Sequence, residues 1–181
     1  RSDAQADAGE LVIALNEKDS GRIFEGIGGV SAGASSELLI DYPETQRKEI
    51  LDYLFKPKFG ASLQQLKVEI GADVCVVGAE ASHARTLNEL RFPKKEYYER
   101  GYEYWLMQEA QKRNPGMIFC ALEWGIPAYL TGFWTRENAS YITQFVKGAR
   151  DFLGIDMKYI SPGKNESTID GNWLKNVLKP S

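Results

Sequence analysis

The run KYISPGKNES, Lys158 to Ser167, leaves a strand-like stretch and reaches the pair Asn165-Glu166. A carboxylic acid beside a carboxamide at the end of a strand suits glycoside hydrolysis. The acid protonates the leaving oxygen, and the amide holds a sugar hydroxyl next to the scissile bond. The same dipeptide also serves as the polar entry to a loop or helix, and spacing alone does not choose between the two. A two-carboxylate mechanism needs a second group as nucleophile or base. Glu69 and Glu123 close two other strand-like runs. Each is either such a group or a buried structural carboxylate held by an ion pair or hydrogen bond. Trp124, Tyr129 and Trp134 offer rings for the apolar face of a sugar, or else pack in the core.

Other chemistries find little to work with. The only histidine, His83, lies in the small-residue stretch GAEASHAR and reads as a solvated or hydrogen-bonded loop residue. No serine sits in a GxSxG elbow, and GIGGVSAG, Gly26 to Gly33, lacks the spacing of a phosphate-binding or dinucleotide loop. Cys75 and Cys120 are too few for a disulfide framework, and no CxxC or HExxH spacing offers a metal site. Neither a metal nor a cofactor is expected. The 22 basic and 25 acidic residues give a formal charge of −3 with no basic stripe, which speaks against nucleic acid. No apolar run approaches the roughly 20 residues needed to cross a bilayer. The opening RSDAQADAGE has no apolar core of a signal peptide, so the expectation is a soluble chain from which any such peptide has been removed.

The elements that must position these groups alternate between strand and helix. A polar leader, residues 1–20, precedes a single domain over 21–181. RIFEGIGGVSAG reads as a strand entering a Gly/Ser loop, and YPETQRKEILDYLFK as a helix burying Ile50, Leu51, Leu54 and Phe55. LQQLKVEIG is a second strand that leaves at Gly71 into a long loop. EYYERGYEYWLMQEAQKRN is a second helix, stopped by Asn114-Pro115-Gly116. MIFCALEWG is a buried strand, and NASYITQFVKGARDFLG a helix with Tyr141, Ile142, Phe145, Val146, Ala149 and Leu153 on one face and Gly154 as its cap. IDMKYISP and GNWLKNVLK supply a fourth strand and a last short helix. Four strand-helix units joined by parallel crossovers make an α/β fold. They form either an open doubly wound sheet or half of a (β/α)8 TIM-type barrel, which takes about 250 residues. In both, ligands meet the strand ends, here Gly28 to Ser31, Glu69 to Asp73, Glu123 to Pro127 and Ser161 to Ser167.

FEGIGGVSAGASSELLIDYPETQRKEILDYLFKPKFGASLQQLKVEIG resembles the opening of the galactocerebrosidase family, and RGYEYWLMQEAQKRNPGM resembles its next segment. The similarity runs from about Gly21 to the end. It implies a (β/α)8 barrel and hydrolysis of β-galactosides such as galactosylceramide with retention. The acid/base Glu would follow strand 4 and the nucleophilic Glu strand 7. On that resemblance Glu166 is the acid/base and Asn165 its partner, while LEWGIPAYL is the substrate-lining loop that brings Trp124 to the pocket. Gly28, Glu69 and Tyr129 are further substrate-binding candidates. The sequence departs from the family in two places. Lys164 stands where an aromatic residue normally precedes the Asn-Glu pair, and Val74, Cys75, Val76 and Val77 replace a loop of polar sugar-binding residues, forfeiting about 1 kcal/mol or more for each lost hydrogen bond.

Only four units are present in these residues, so the strand-7 nucleophile is expected to be missing and the Asn-Glu pair to be idle in isolation. The expected function is a galactocerebrosidase-like fragment repurposed for self-association or for an apolar or glycolipid ligand. The alternative is the N-terminal half of a retaining β-galactosidase completed by a second chain. Either way the open strand edges need a homo-oligomer or a complementary partner to cover them. The family implies a secreted or lysosomal location. Two sequons, Asn138-Ala139-Ser140 and Asn165-Glu166-Ser167, offer glycosylation sites, with Asn138 expected at an exposed helix start.

Overall fold

A computed structural model of the chain describes residues 13–14, 16, 18, 21–32, 37–74, 80–162 and 168–181. Four strands pair in parallel in the order of the chain: β1 (Gly28–Val30), β2 (Gln65–Glu69), β3 (Ile118–Leu122) and β4 (Met157–Ser161). A doubly wound sheet reverses its strand order partway and carries helices on both faces. Here the order never reverses. Among the described residues the helices lie against one face, where Leu66, Val68, Phe119 and Ala121 are buried in the core. This is the wall of a (β/α)8 barrel through four of its units, with the sheet left open, and it decides between the two architectures that composition leaves standing.

The concave face carries the alternate residues. Val30 pairs with Lys67, Lys67 with Cys120, and Cys120 with Tyr159, forming one layer across the sheet. Val30 is 65% exposed and Tyr159 45%, so the layer lies open. The layer above it, at the carboxyl ends, joins Glu69, Leu122 and Ser161. The sheet curves enough that the segment before β1 meets β4. The carboxylate of Glu25 accepts from Lys158 Nζ and Tyr159 Oη.

The helices form for local reasons that the sequence carries. Helix α1 (Glu44–Phe55) starts after Pro43 and buries Leu51 and Phe55. Short α2 (Leu87–Arg91) is capped by Thr86, whose hydroxyl accepts from Glu89 N. In α4 (Arg136–Leu153), Thr135 accepts from Asn138 N, and Gly154 ends the helix at φ 68°, a left-handed cap that glycine adopts without strain. The chain finishes in α5 (Gly171–Trp173), which continues as a wider turn over Leu174–Leu178. Trp173 Nε1 donates to Thr135 O at 2.8 Å, tying this end to the start of α4.

The helix expected over Glu96 to Asn114 is interrupted. A 3-10 turn, Lys95–Glu99, gives way at Gly101, with φ 105°, to α3 (Glu103–Arg113). The cause is Glu80. Its carboxylate accepts from Tyr102 N at 2.9 and 3.1 Å and from Glu103 N at 3.1 Å, capping α3 from another loop. A Cβ at position 101 would sit 2.2 Å from Glu80 Oε1, so only glycine lets the carboxylate in.

His83 takes the hydrogen-bonded of its two loop readings. It is 2% exposed, and its ring stacks on Tyr141 at 4.2 Å. Nε2 lies 3.1 Å from the Tyr141 carbonyl and donates to it, since that oxygen can only accept. Burial drives the imidazole pKa down to about 3, so His83 is neutral and structural.

Candidate active site at the carboxyl ends of the strands

The barrel wall brings Ser31, Glu69, Glu123 and Ser161 to the carboxyl ends of four adjacent strands. Glu69 is the last residue of β2 and is buried. Glu123 follows β3 directly and is fully buried. Its N–H donates to Ser161 O at 3.2 Å, which locks the end of β3 to the end of β4. From Ser161 the chain runs through buried Pro162 toward Asn165 and Glu166. That pair lies outside the described residues, as do Cys75, Val76 and Val77 of the apolar loop.

Asn138 was expected at an exposed helix start, and this is corrected. It is 0% exposed, and its Nδ2 donates to Glu123 Oε2 and to Phe133 O, both at 2.9 Å. The first turn of α4 faces the sheet, so the sequon asparagine points into the protein. A glycan on Nδ2 would displace one of these bonds and has no exit to solvent.

The aromatic candidates separate. Trp124 is partly exposed beside Glu123 at the carboxyl end of β3. Tyr129 is half-buried, with its hydroxyl donating to Ala84 O at 2.9 Å and burial raising its pKa to about 12. Trp134 turns away and packs edge to face on Trp173 at 5.3 Å, the packing alternative. Gly28 opens β1 beside Gln65 at the amino end of the sheet. It is not brought together with Glu69, Trp124 and Tyr129, which the fold gathers at the other end.

Glu103 is a site residue that the sequence reading passes over. It is fully buried under the sheet end, Ser31 Oγ donates to its Oε1 at 2.9 Å, and Oε2 has no hydrogen-bond partner among the described residues. Burial, then the neighbouring Glu80 and Glu69 carboxylates, push its pKa up to about 9. Glu103 is therefore a neutral acid at pH 7, packed behind the first two strand ends. Its only sequence signal is a charge in the first turn of an otherwise buried helix face. Among the described residues no group of three or more His, Cys, Asp or Glu could hold a metal ion, and no helix is long and apolar enough to cross a membrane. Cys120 carries a free thiol on the concave face, its pKa raised chiefly by burial.

Comparison with known proteins places this geometry. Residues 24–180 match the profile of glycosyl hydrolase family 59. The chain is 47% identical over 174 residues to the galactocerebrosidase of Mus musculus, covering 91% of this chain and 24% of that one. The galactocerebrosidase of Homo sapiens is 45% identical over 174 residues with the same coverage. These residues thus span 24% of the length of the curated relatives they match. Among solved structures, an endo-β1,6-glucanase superimposes with a TM-score of 0.72 at 18% identity, over 92% of this chain and 43% of that chain. That likeness concerns the fold. The chain, a segment relative to its full-length relatives, belongs to glycosyl hydrolase family 59.

Proposed function

We propose that these residues are the N-terminal half of the catalytic barrel of a retaining β-galactosidase, with Glu166 as its acid/base. The observation that carries this reading is the one-way parallel sheet, whose carboxyl ends gather Glu69, Trp124 and Ser161 around the point where the chain leaves β4 for Asn165-Glu166. In this role protonated Glu166 gives its proton to the glycosidic oxygen as the bond to the anomeric carbon breaks. A second carboxylate, about 5 Å away, attacks that carbon. Glu166, now ionised, takes a proton from the water that releases the sugar. Asn165 holds a hydroxyl beside the reacting carbon, and Trp124 supplies an apolar wall. The second carboxylate belongs to later barrel units, which would also cover the open layer of Val30 and Tyr159. A secreted or lysosomal location accompanies the reading. Expressed by themselves, residues 1–181 should not turn over an activated aryl β-galactoside. Supplied with the later units of a galactocerebrosidase barrel, they should do so. Turnover by these residues alone, or a reconstituted barrel that stays inactive, would refute the proposal.

A second reading, use of the half-barrel for self-association or for binding an apolar partner, is favoured by the exposed run of Ile23, Phe24, Ile27 and Val30 at the β1 edge. A monomer by sedimentation at micromolar concentration would remove the self-association form of it.

A further inference from the structure

We propose that Lys67, in the wall of the barrel interior, pairs with an aspartate or glutamate carried by the later barrel units, a contact separate from the two carboxylates of bond cleavage. Lys67 lies on the concave face of β2, in the layer that runs from Val30 through Lys67 to Cys120 and Tyr159. Its chain neighbours Leu66 and Val68 are buried in the core behind the sheet, so Lys67 points the other way. It is half-buried even with the sheet open. Glu69 ends the strand two residues later, which sets Lys67 about 7 Å deeper than the strand ends where ligands bind.

The groups around Lys67 leave its charge unanswered. Glu25 comes in from the segment before β1, but one of its carboxylate oxygens accepts from Lys158 and the other from Tyr159. Cys120, beside Lys67 on β3, has its pKa raised chiefly by burial, so its thiol is uncharged at pH 7. Val30 on the other side is apolar, and the Tyr159 phenol on β4 is held neutral by its hydrogen bond to Glu25. Glu69 shares the concave face of β2. Among the described residues Lys67 forms no ion pair with it or with any other acid.

Closing the barrel turns that surplus into a requirement. The interior of an eight-strand barrel is just wide enough for side chains to fill it, so this layer becomes packed core and not a channel. An ammonium left there alone loses its water and gains nothing in return. An acid on the facing wall restores both the charge balance and the hydrogen bonds. Other occupants fit less well. A filled layer has no room for bulk water, and a ligand meets the strand ends above it. The strands that face Lys67 across the interior belong to the later units, so the acid comes from them. The pairing rests on the completion of the barrel in the proposed function and not on its galactosidase chemistry.

The test is urea unfolding of the full-length protein at pH 4 and pH 7, with Lys67→Met and Lys67→Arg beside the unsubstituted chain. In Lys67→Met the acid is left buried and unpaired, so its folded pKa rises above its unfolded value of about 4, and the penalty grows as pH rises past that value. In the unsubstituted chain the paired acid has its pKa lowered and gains stability over the same range. The midpoint gap between the two should therefore widen by about 1 M from pH 4 to pH 7, while Lys67→Arg keeps the charge and stays close to the unsubstituted chain. Slopes from His83 and Glu103 are common to all three and cancel in the difference. If Lys67→Met does not fold, Lys67→Gln, which keeps the length and loses the charge, is read with the same signs. No gap, or a gap of equal size at both pH values, overturns the pairing. A gap that stops widening in a Glu25→Gln or Glu69→Gln background places the acid in these residues and overturns its assignment to the later units. Turnover of an aryl β-galactoside judges catalysis separately: a flat gap in an active enzyme sinks only the pairing, and a widening gap in an inactive one sinks only the catalytic reading.

Discussion

Asn138 commits both hydrogens of its amide inside the protein, to the Glu123 carboxylate and the Phe133 carbonyl. Removing a donor of this kind costs more than the bond itself, because the carboxylate stays buried with less compensation. Asn138→Ala should therefore lower stability by about 2–3 kcal/mol, measured from urea midpoints. Glycopeptide mapping of secreted material should find Asn138 unmodified, and a glycan there would contradict the burial. Glu103 makes a related point about individual residues. As a neutral acid it can donate a proton as well as accept from Ser31. Glu103→Gln, which keeps the acceptor and cannot ionise, is the conservative probe of that state.

At the scale of elements, α4 shows how closely the layers approach. Gly148 lies buried in its middle, and an added Cβ would stand 1.9 Å from the Tyr98 ring, which itself is tied by its hydroxyl to Gln144 O at 2.8 Å. Alanine is the better helix former by about 1 kcal/mol. Overpacking against a pinned aromatic ring costs about 1–3 kcal/mol and wins. Gly148→Ala should thus destabilise the fold in the same urea assay, and a rise in the midpoint would contradict this packing. Much of α4 was legible in the sequence, because its apolar spacing and Gly154 are local signals. The break before α3 was not. It depends on Glu80 reaching Tyr102 and Glu103 from more than twenty positions earlier, a contact that exists only after folding. The same reason hid the burial of Asn138, whose sequon and helix-start position both suggested exposure. The strands were legible as apolar runs, but their one-way order is a property of the assembled sheet. The ion pair of Asp73 and Arg85 likewise joins residues with no local pattern between them.

For the whole molecule, two buried groups set opposite limits on pH. His83 has its pKa lowered from 6.5 to about 3, so the unfolded chain binds its proton first, and the stability gained from a neutral His83 is lost as pH falls below 6.5. Glu103 has its pKa raised from 4.5 to about 9, so its contribution is complete below 4.5 and is lost as pH rises above that value. The two slopes, each about 1.4 kcal/mol per pH unit, cancel between the two unfolded values. Stability should form a plateau from roughly pH 4.5 to 6.5 and decline on either side. Glu89, held low at about 2 chiefly by its hydrogen bonds from Arg100, steepens the acid limb. Urea midpoints from pH 4 to 9 should show the plateau, and Glu103→Gln should flatten its alkaline side. An optimum at pH 8 would contradict the burial of Glu103. The central claim concerns Glu166, and the most direct measurement uses Glu166→Ala in a complete barrel given an activated aryl β-galactoside and azide. If Glu166 is the acid/base, the glycosyl intermediate still forms on the other carboxylate. Azide then enters the space left by the missing side chain, giving the β-galactosyl azide. An α-galactosyl azide would mean that Glu166 is the nucleophile, and activity unchanged by the substitution would mean that it takes no part.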